Sequence, residues 1–263
     1  MPIEIRSSFA FHAEQPTDVL LQFEAADLPE QRVVGAKSTF GNPAHFARVA
    51  AHDDIGERIW MRVLGPVEIC YSATVEPNRL VADIKGLPSL APHHLPSEAV
   101  QYLFDSRYCS ADAFQQLVDN EFAGKSGGER IAAISDWISQ AFTYTPGAST
   151  AETDATESFI ARQGICRDYA HVLIALARAS TIPARYVACY APGVDPQDFH
   201  ALAEVFLADP SVENGGSWQL IDATGMADLE KTAKIGVGRD AADVSFLTSF
   251  GPIDFKSSRV EVS

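Results

Sequence analysis

The chain has 263 residues, 46% apolar and 21% charged, enough for one large or two medium domains with a sizeable core. Lys and Arg number 20 against 35 Asp and Glu, a net charge of −15 with no run of basic residues. That excess of negative charge excludes the usual electrostatic footprint of a nucleic-acid binder and disfavours anionic membrane surfaces.

No apolar run approaches the roughly 18–20 residues of a membrane span. Met1-Pro2-Ile3-Glu4-Ile5-Arg6 lacks the charged-then-apolar plan of a secretory leader, so the expected compartment is the cytoplasm. Cys70, Cys109, Cys166 and Cys189 are scattered with no C-x-x-C pair, which matches neither a disulfide framework nor a zinc ribbon. His93-His94 and Cys109 fit no metal-ligand spacing, and no glycine-rich phosphate loop is present; no metal or cofactor is expected.

In chain order, the first hundred residues read as β. Ile3, Ile5, Phe9 and Phe11 sit at odd positions; Ile59, Met61 and Val63 alternate with Arg58, Trp60 and Arg62; Val67, Ile69, Tyr71, Ala73 and Val75 alternate again after Gly65-Pro66. Short strands separated by Gly, Pro and Asn breaks predict a β-sandwich over residues 1–95, ending in a proline-rich linker from Leu87 to Pro96. From residue 96 the period changes to that of helices: Glu98 to Phe104 behind Ser97, a second behind Ser110, Gly128 to Phe142, Thr156 to Gln163, and Cys166 to Ser180. Strands are then predicted at Ala184–Tyr190, His200–Leu207 and Trp218–Asp222. Helices followed by strands make residues 96–263 an α+β unit rather than a βαβ repeat.

Chemistry concentrates at Gly164-Ile165-Cys166-Arg167-Asp168-Tyr169-Ala170-His171, where a helix begins just after a glycine. Cys166 falls in the first turn, whose unbonded amides and positive dipole end favour a thiolate. The other cysteines lie in strands or between helices. A nucleophile needs a base, and the base an orienting group. His200 opens one predicted strand and Asp222 closes the next, and a hairpin turning near Ser211 or Val212 sets the two side by side, within a few residues of register. His171, about 140° around the helix from Cys166, cannot reach it as a base. Asp168 and Arg167 suit the helix start structurally, and Arg239-Asp240 reads as an internal ion pair.

These segments, with Thr181-Ile182-Pro183-Ala184-Arg185-Tyr186-Val187, Phe199-His200-Ala201 and Ile221-Asp222-Ala223-Thr224, resemble the core of the transglutaminase-like superfamily. The resemblance runs over roughly residues 100–263, and the first hundred resemble the β-rich domain preceding that core in a bacterial branch. It implies a papain-like catalytic domain at 96–263 with a Cys166-His200-Asp222 triad. Cys166 would be the nucleophile, His200 the general base and acid, and Asp222 the orienting carboxylate. The reaction implied is acyl transfer from a peptide or glutamine-type amide through a thioester, with hydrolysis the default outcome and transamidation the alternative. The Cys166 backbone N–H is the natural oxyanion donor, and Tyr144 is the candidate for a second. Two positions depart from the superfamily's habit: Leu202 stands where His-Ala-Trp is common, and Ala223 where Asp-Pro-Thr is common. Neither removes a triad member, though the missing Trp changes a wall of the site. A non-catalytic peptide-binding scaffold on the same fold is the competing reading. The expected partner is a peptide or protein substrate.

Overall fold

The computed structural model describes every residue except 52, 54, 80 and 212–214. The strands are β1 (Ile3–Leu21), β2 (Gln31–Thr39), β3 (His45–Ala50), β4 (Glu57–Pro77), β5 (Thr143–Tyr144), β6 (Gln163–Gly164), β7 (Ala184–Tyr190), β8 (His200–Ala208), β9 (Gly216–Ile221), β10 (Ala233–Gly238), β11 (Leu247–Ser249) and β12 (Asp254–Val262). The α-helices are α1 (Ser97–Val100), α2 (Gln115–Glu121), α3 (Gly127–Ala141), α4 (Ala155–Ala161) and α5 (Cys166–Ala179).

The alternation read from residues 1–77 corresponds to real faces. The odd residues of β1 and β4 are buried except at the bulge (Gln15), the bend (Gly65) and the two ends of β4 (Glu57 and Pro77), and their even neighbours are more exposed. Strands predicted as separate are nevertheless continuous: β4 runs through Gly65-Pro66, which bends it rather than ending it. Gly65 holds a φ of 78°, a conformation open to glycine without a Cβ penalty. Opposite this bend, residues 14–16 of β1 bulge between the pairs Ala13↔Gly65 and Thr17↔Val63. The double bend brings Phe9 and Phe23 edge to face at 5.3 Å, although an unbent strand would hold them about 45 Å apart. Hydrogen-bond ladders join all six strands into one sheet, β11-β1-β4-β2 with β12 on β1 and β3 on β4, where the sequence suggested two opposed sheets.

The second sheet is antiparallel in the order β10-β7-β8-β9. Ala201, Ala203, Val205 and Leu207 face α5 in the main helical core, while Val187, Cys189, Leu202, Leu220 and Val237 form the opposite face, packed against Ile55, Met226 and Leu229. Helix α5 is buried on almost every side, including Asp168, His171 and Arg178, so it is the central element of the fold rather than an amphipathic surface helix. Tyr190, Ala233 and Ile235 carry the second sheet into the core of the first, and the Tyr190 hydroxyl donates to Phe23 O at 2.7 Å.

Several local expectations are corrected. Ser97 is the first helical residue behind Pro96, and Ser110 makes no side-chain cap bond. The 87–96 linker is pinned, since Pro88 O accepts from Ala208 N and Leu87 O from Gly128 N. Arg239 pairs with Asp243 at 2.8 Å, while Asp240 accepts from the amides of Tyr108 and Ala242. Residues 247–262, grouped with the C-terminal unit by sequence, return to β1 as β11 and β12. No helix among the described residues is long and apolar enough to cross a membrane.

Candidate active site

Cys166 is the first residue of α5 and is nearly buried. The turn that presents it is held by Asp168, whose Oδ2 accepts from Ile165 N at 2.7 Å and from Ser149 Oγ at 2.6 Å. Arg167 donates to Thr150 O at 2.5 Å and lies 3.6 Å from Asp168, which ties the 149–150 loop to the same turn. Gly164 is obligatory beside it: an added Cβ would stand 2.5 Å from Asp168 Oδ2 and 2.6 Å from its Cβ. Gly164→Ala is therefore expected to displace the Asp168 carboxylate, cost about 1–3 kcal/mol and slow alkylation of Cys166. Thermal unfolding and peptide mapping after iodoacetamide check both.

The β8–β9 ladder ends at Ala203↔Ile221, which sets Asp222 next to Leu202 and diagonal to His200 on the same face. The hairpin turn read from the sequence near Ser211 or Val212 falls on residues 212–214, outside the described residues. His200 Nε2 lies 3.3 Å from Asp222 Oδ2. Asp222 is itself fixed: Oδ1 accepts from Thr224 N at 2.9 Å and Thr224 Oγ1 at 2.6 Å, and Oδ2 from the amides of Met226 and Ala227 at 3.0 and 2.8 Å. Residue 223 supplies none of these donors, so Ala there in place of Pro leaves the carboxylate's support whole. Burial works to raise the Asp222 pKa, but the bonds and charge of His200, with those from Thr224 and Ala227, hold it below the usual carboxylate value.

With Nε2 on Asp222, the other ring nitrogen, Nδ1, is buried and makes no hydrogen bond, and Cys166 is near enough for its charge to act on the ring. Burial disfavours the imidazolium, yet the hydrogen bond to Asp222 and the charges of Cys166 and Asp222 outweigh it and raise the His200 pKa to about 9. At neutral pH the ring is therefore held protonated beside the Asp222 carboxylate.

Tyr144 reaches the same place by backbone pairing. It sits on β5, which runs parallel to β6 with Tyr144 opposite Gly164, two residues before Cys166. Its pKa is pushed up, first by burial and then by the charge of Cys166, which places the two side chains within electrostatic reach of each other. The structure thus gathers Cys166, His200, Asp222 and Tyr144. His171 stands apart, stacked on Tyr108 at 5.2 Å, its Nε2 accepting from Ala241 N and its pKa lowered to about 3 by burial. Sequence reasoning missed Tyr186, buried on β7 within the electrostatic reach of Cys166, and the Met226 and Ala227 amides. Thr224 had a signal, because Asp-x-Thr is a turn in which the hydroxyl returns to the carboxylate.

Residues 115–223 match the transglutaminase-like superfamily. A crystal structure of a candidate cysteine protease from Cytophaga hutchinsonii is 29% identical and superposes with a TM-score of 0.91 over 100% of this chain and 90% of that one. An uncharacterised protein of Mycobacterium tuberculosis is 33% identical over 133 residues, 46% of this chain and 41% of its own. A Mycobacterium leprae protein is 27% identical over 116 residues, 44% of this chain and 42% of its own. The match spans about two-fifths of the length of these curated relatives.

Proposed function

We propose that this chain, which carries a transglutaminase-like domain, is a thiol acyl-transfer enzyme that hydrolyses peptide or glutamine-type amides. The observation that carries the proposal is the His200 ring held at 3.3 Å by Asp222, within the electrostatic reach of Cys166 and with its second nitrogen buried and uncommitted. The Cys166 sulfur attacks the amide carbonyl, a C–S bond forms, and the carbonyl electrons move onto oxygen. The Cys166 backbone N–H receives that oxyanion, with the Tyr144 hydroxyl as second donor; each such donor is worth about 10²–10³ in rate. Collapse breaks the C–N bond, and the departing amine takes the His200 proton. His200 then removes a proton from water, which attacks the thioester, releases the carboxylic acid and regenerates the sulfur. Water is the default acceptor because it is always present, whereas transamidation needs an amine that outcompetes it.

The Cytophaga relative's description as a candidate cysteine protease agrees with this chemistry. The test is mass spectrometry of a peptide library incubated with the protein, with and without a primary amine. Hydrolysed products and an acyl adduct on Cys166 support the proposal. Amine-coupled products alone would replace hydrolysis by transamidation, and no adduct or product would leave a peptide-binding scaffold.

The protonation of His200 sets the alkaline limit. Raising the pH through about 9 removes the proton the leaving amine needs, so kcat/KM is expected to fall with an apparent pKa near 9. The same sign holds for stability: a folded-state pKa above the unfolded value near 6.5 stabilises most below that value. The benefit is lost as pH rises through about 9. Rate and unfolding profiles measured on one sample check both.

A further inference from the structure

The sequence shows no run of basic residues, but strand pairing assembles a basic trough on the outer face of the first sheet. Outward residues of β1 and β4 form its floor: Arg6 opposite Ser72, and Ser8 opposite Cys70. Lys37 and Thr39 of β2 stand beside Ser72 and Cys70 as one wall, and Arg259 of β12 stands beside Ser8 as the other. Small hydroxyl and thiol side chains between long cationic ones leave a cavity of about 790 Å³. A second hollow continues it past Ala10 to His12, Glu68 and Lys256. The distance from Arg6 to His12 along β1 is about 20 Å, the reach of six extended residues.

The charge of the deeper half is anomalous for this molecule. Arg6, Lys37 and Arg259 meet only Glu261, which Arg259 engages at 2.5 Å. Among the described residues neither Arg6 nor Lys37 has an ion-pair partner. Two uncommitted cations across a shallow floor, on a chain of net charge −15, favour an anionic occupant. Among the described residues, the rings of Phe11 and Tyr71 beneath the trough are turned into the core, so its floor offers no stacking platform for nucleobases. A long, narrow, hydroxyl-lined floor suits an extended main chain instead.

We infer that this trough is a docking site for an acidic, extended peptide segment of the protein substrate, an inference that rests on the hydrolase reading above. Arg6 and Lys37 hold carboxylates from the floor and one wall, and Arg259 from the other. The site lies apart from Cys166, so docking is read by binding alone.

The experiment uses the full chain carrying Cys166→Ala, which leaves Cys70 as the one exposed thiol. Fluorescein-labelled hexaglutamate is titrated by anisotropy, with hexalysine and inorganic tripolyphosphate as competitors. Hexaglutamate is expected to bind, more weakly as salt rises from about 50 to about 300 mM, and to slow maleimide labelling of Cys70. The exposed double variant Arg6→Ala with Lys37→Ala is expected to weaken binding by about ten-fold. Absence of binding, or binding indifferent to the double variant, overturns the inference. Displacement by tripolyphosphate as effective as by unlabelled peptide overturns it in favour of a phosphate site. None of these readouts depends on acyl transfer, so failure of the hydrolase reading is scored separately, by the peptide-library experiment.

Discussion

Cys166→Ala is expected to lower kcat/KM by about 10⁴-fold or more while leaving the thermal midpoint nearly unchanged. The side chain lost is small, and the hydrogen bonds that build its turn come from Asp168 and Arg167 rather than from the sulfur. His200→Ala is expected to cost a comparable factor. The double variant should be hardly worse than either, because the sulfur and the ring act as one unit and their losses do not add. Iodoacetamide separates the two contributions: His200→Ala keeps the thiol but removes the protonated ring beside it, so alkylation of Cys166 should slow markedly at neutral pH. Equal alkylation rates in the presence and absence of the ring, or full turnover without the sulfur, would refute the proposed chemistry.

Why this site was legible and other parts were not follows from where each signal lives. The start of α5 is encoded locally, by Gly164, the Asp168 cap and the apolar stretch after them. His200 and Asp222 were found because a short hairpin converts sequence distance into spatial distance, and the pairing register then fixes which residues share a face. Tyr144 could be only a guess, since its place depends on the two-residue parallel bridge to Gly164, which no periodicity announces. β12 escaped notice because it is an edge strand exposed at nearly every position, with no buried alternation to read. β10 escaped for the opposite reason, being buried throughout and rich in glycine, so that it reads as a loop. The long strands were read as fragments because Gly65-Pro66 has the composition of a turn but serves as a bend. The basic trough was invisible in the same way: Arg6, Lys37 and Arg259 are far apart in sequence and adjacent only through pairing.

The second large effect lies where the second sheet meets the N-terminal strands. Glu204 on β8 is fully buried and receives Arg185 Nε at 2.7 Å and the ammonium of Lys234, which also reaches Glu30 at 2.8 Å. Arg185 in turn lies 4.0 Å over the Trp218 ring and 3.4 Å from Asp53. Burial alone would keep Glu204 protonated, but the charges of Lys234 and Arg185 hold its pKa down to about 2. Glu204→Gln keeps the shape and removes the charge, leaving two buried cations without their shared counterion. Breaking a buried pair in this way costs about 3–5 kcal/mol, a fall of roughly 10 °C in the thermal midpoint for a chain of this size. The exposed Arg32–Glu76 contact at 3.7 Å is the internal control: Arg32→Ala should move the midpoint very little. A pH series adds a signature that simple loss of packing lacks. A carboxylate with a folded pKa below its unfolded value stabilises above the unfolded value, near 4.3. That contribution fades as pH falls through about 2. The gap between native and Glu204→Gln stability should therefore be full above about pH 5 and narrow steadily in acid. A gap that stayed constant would mean that Glu204 acts through shape and not through charge.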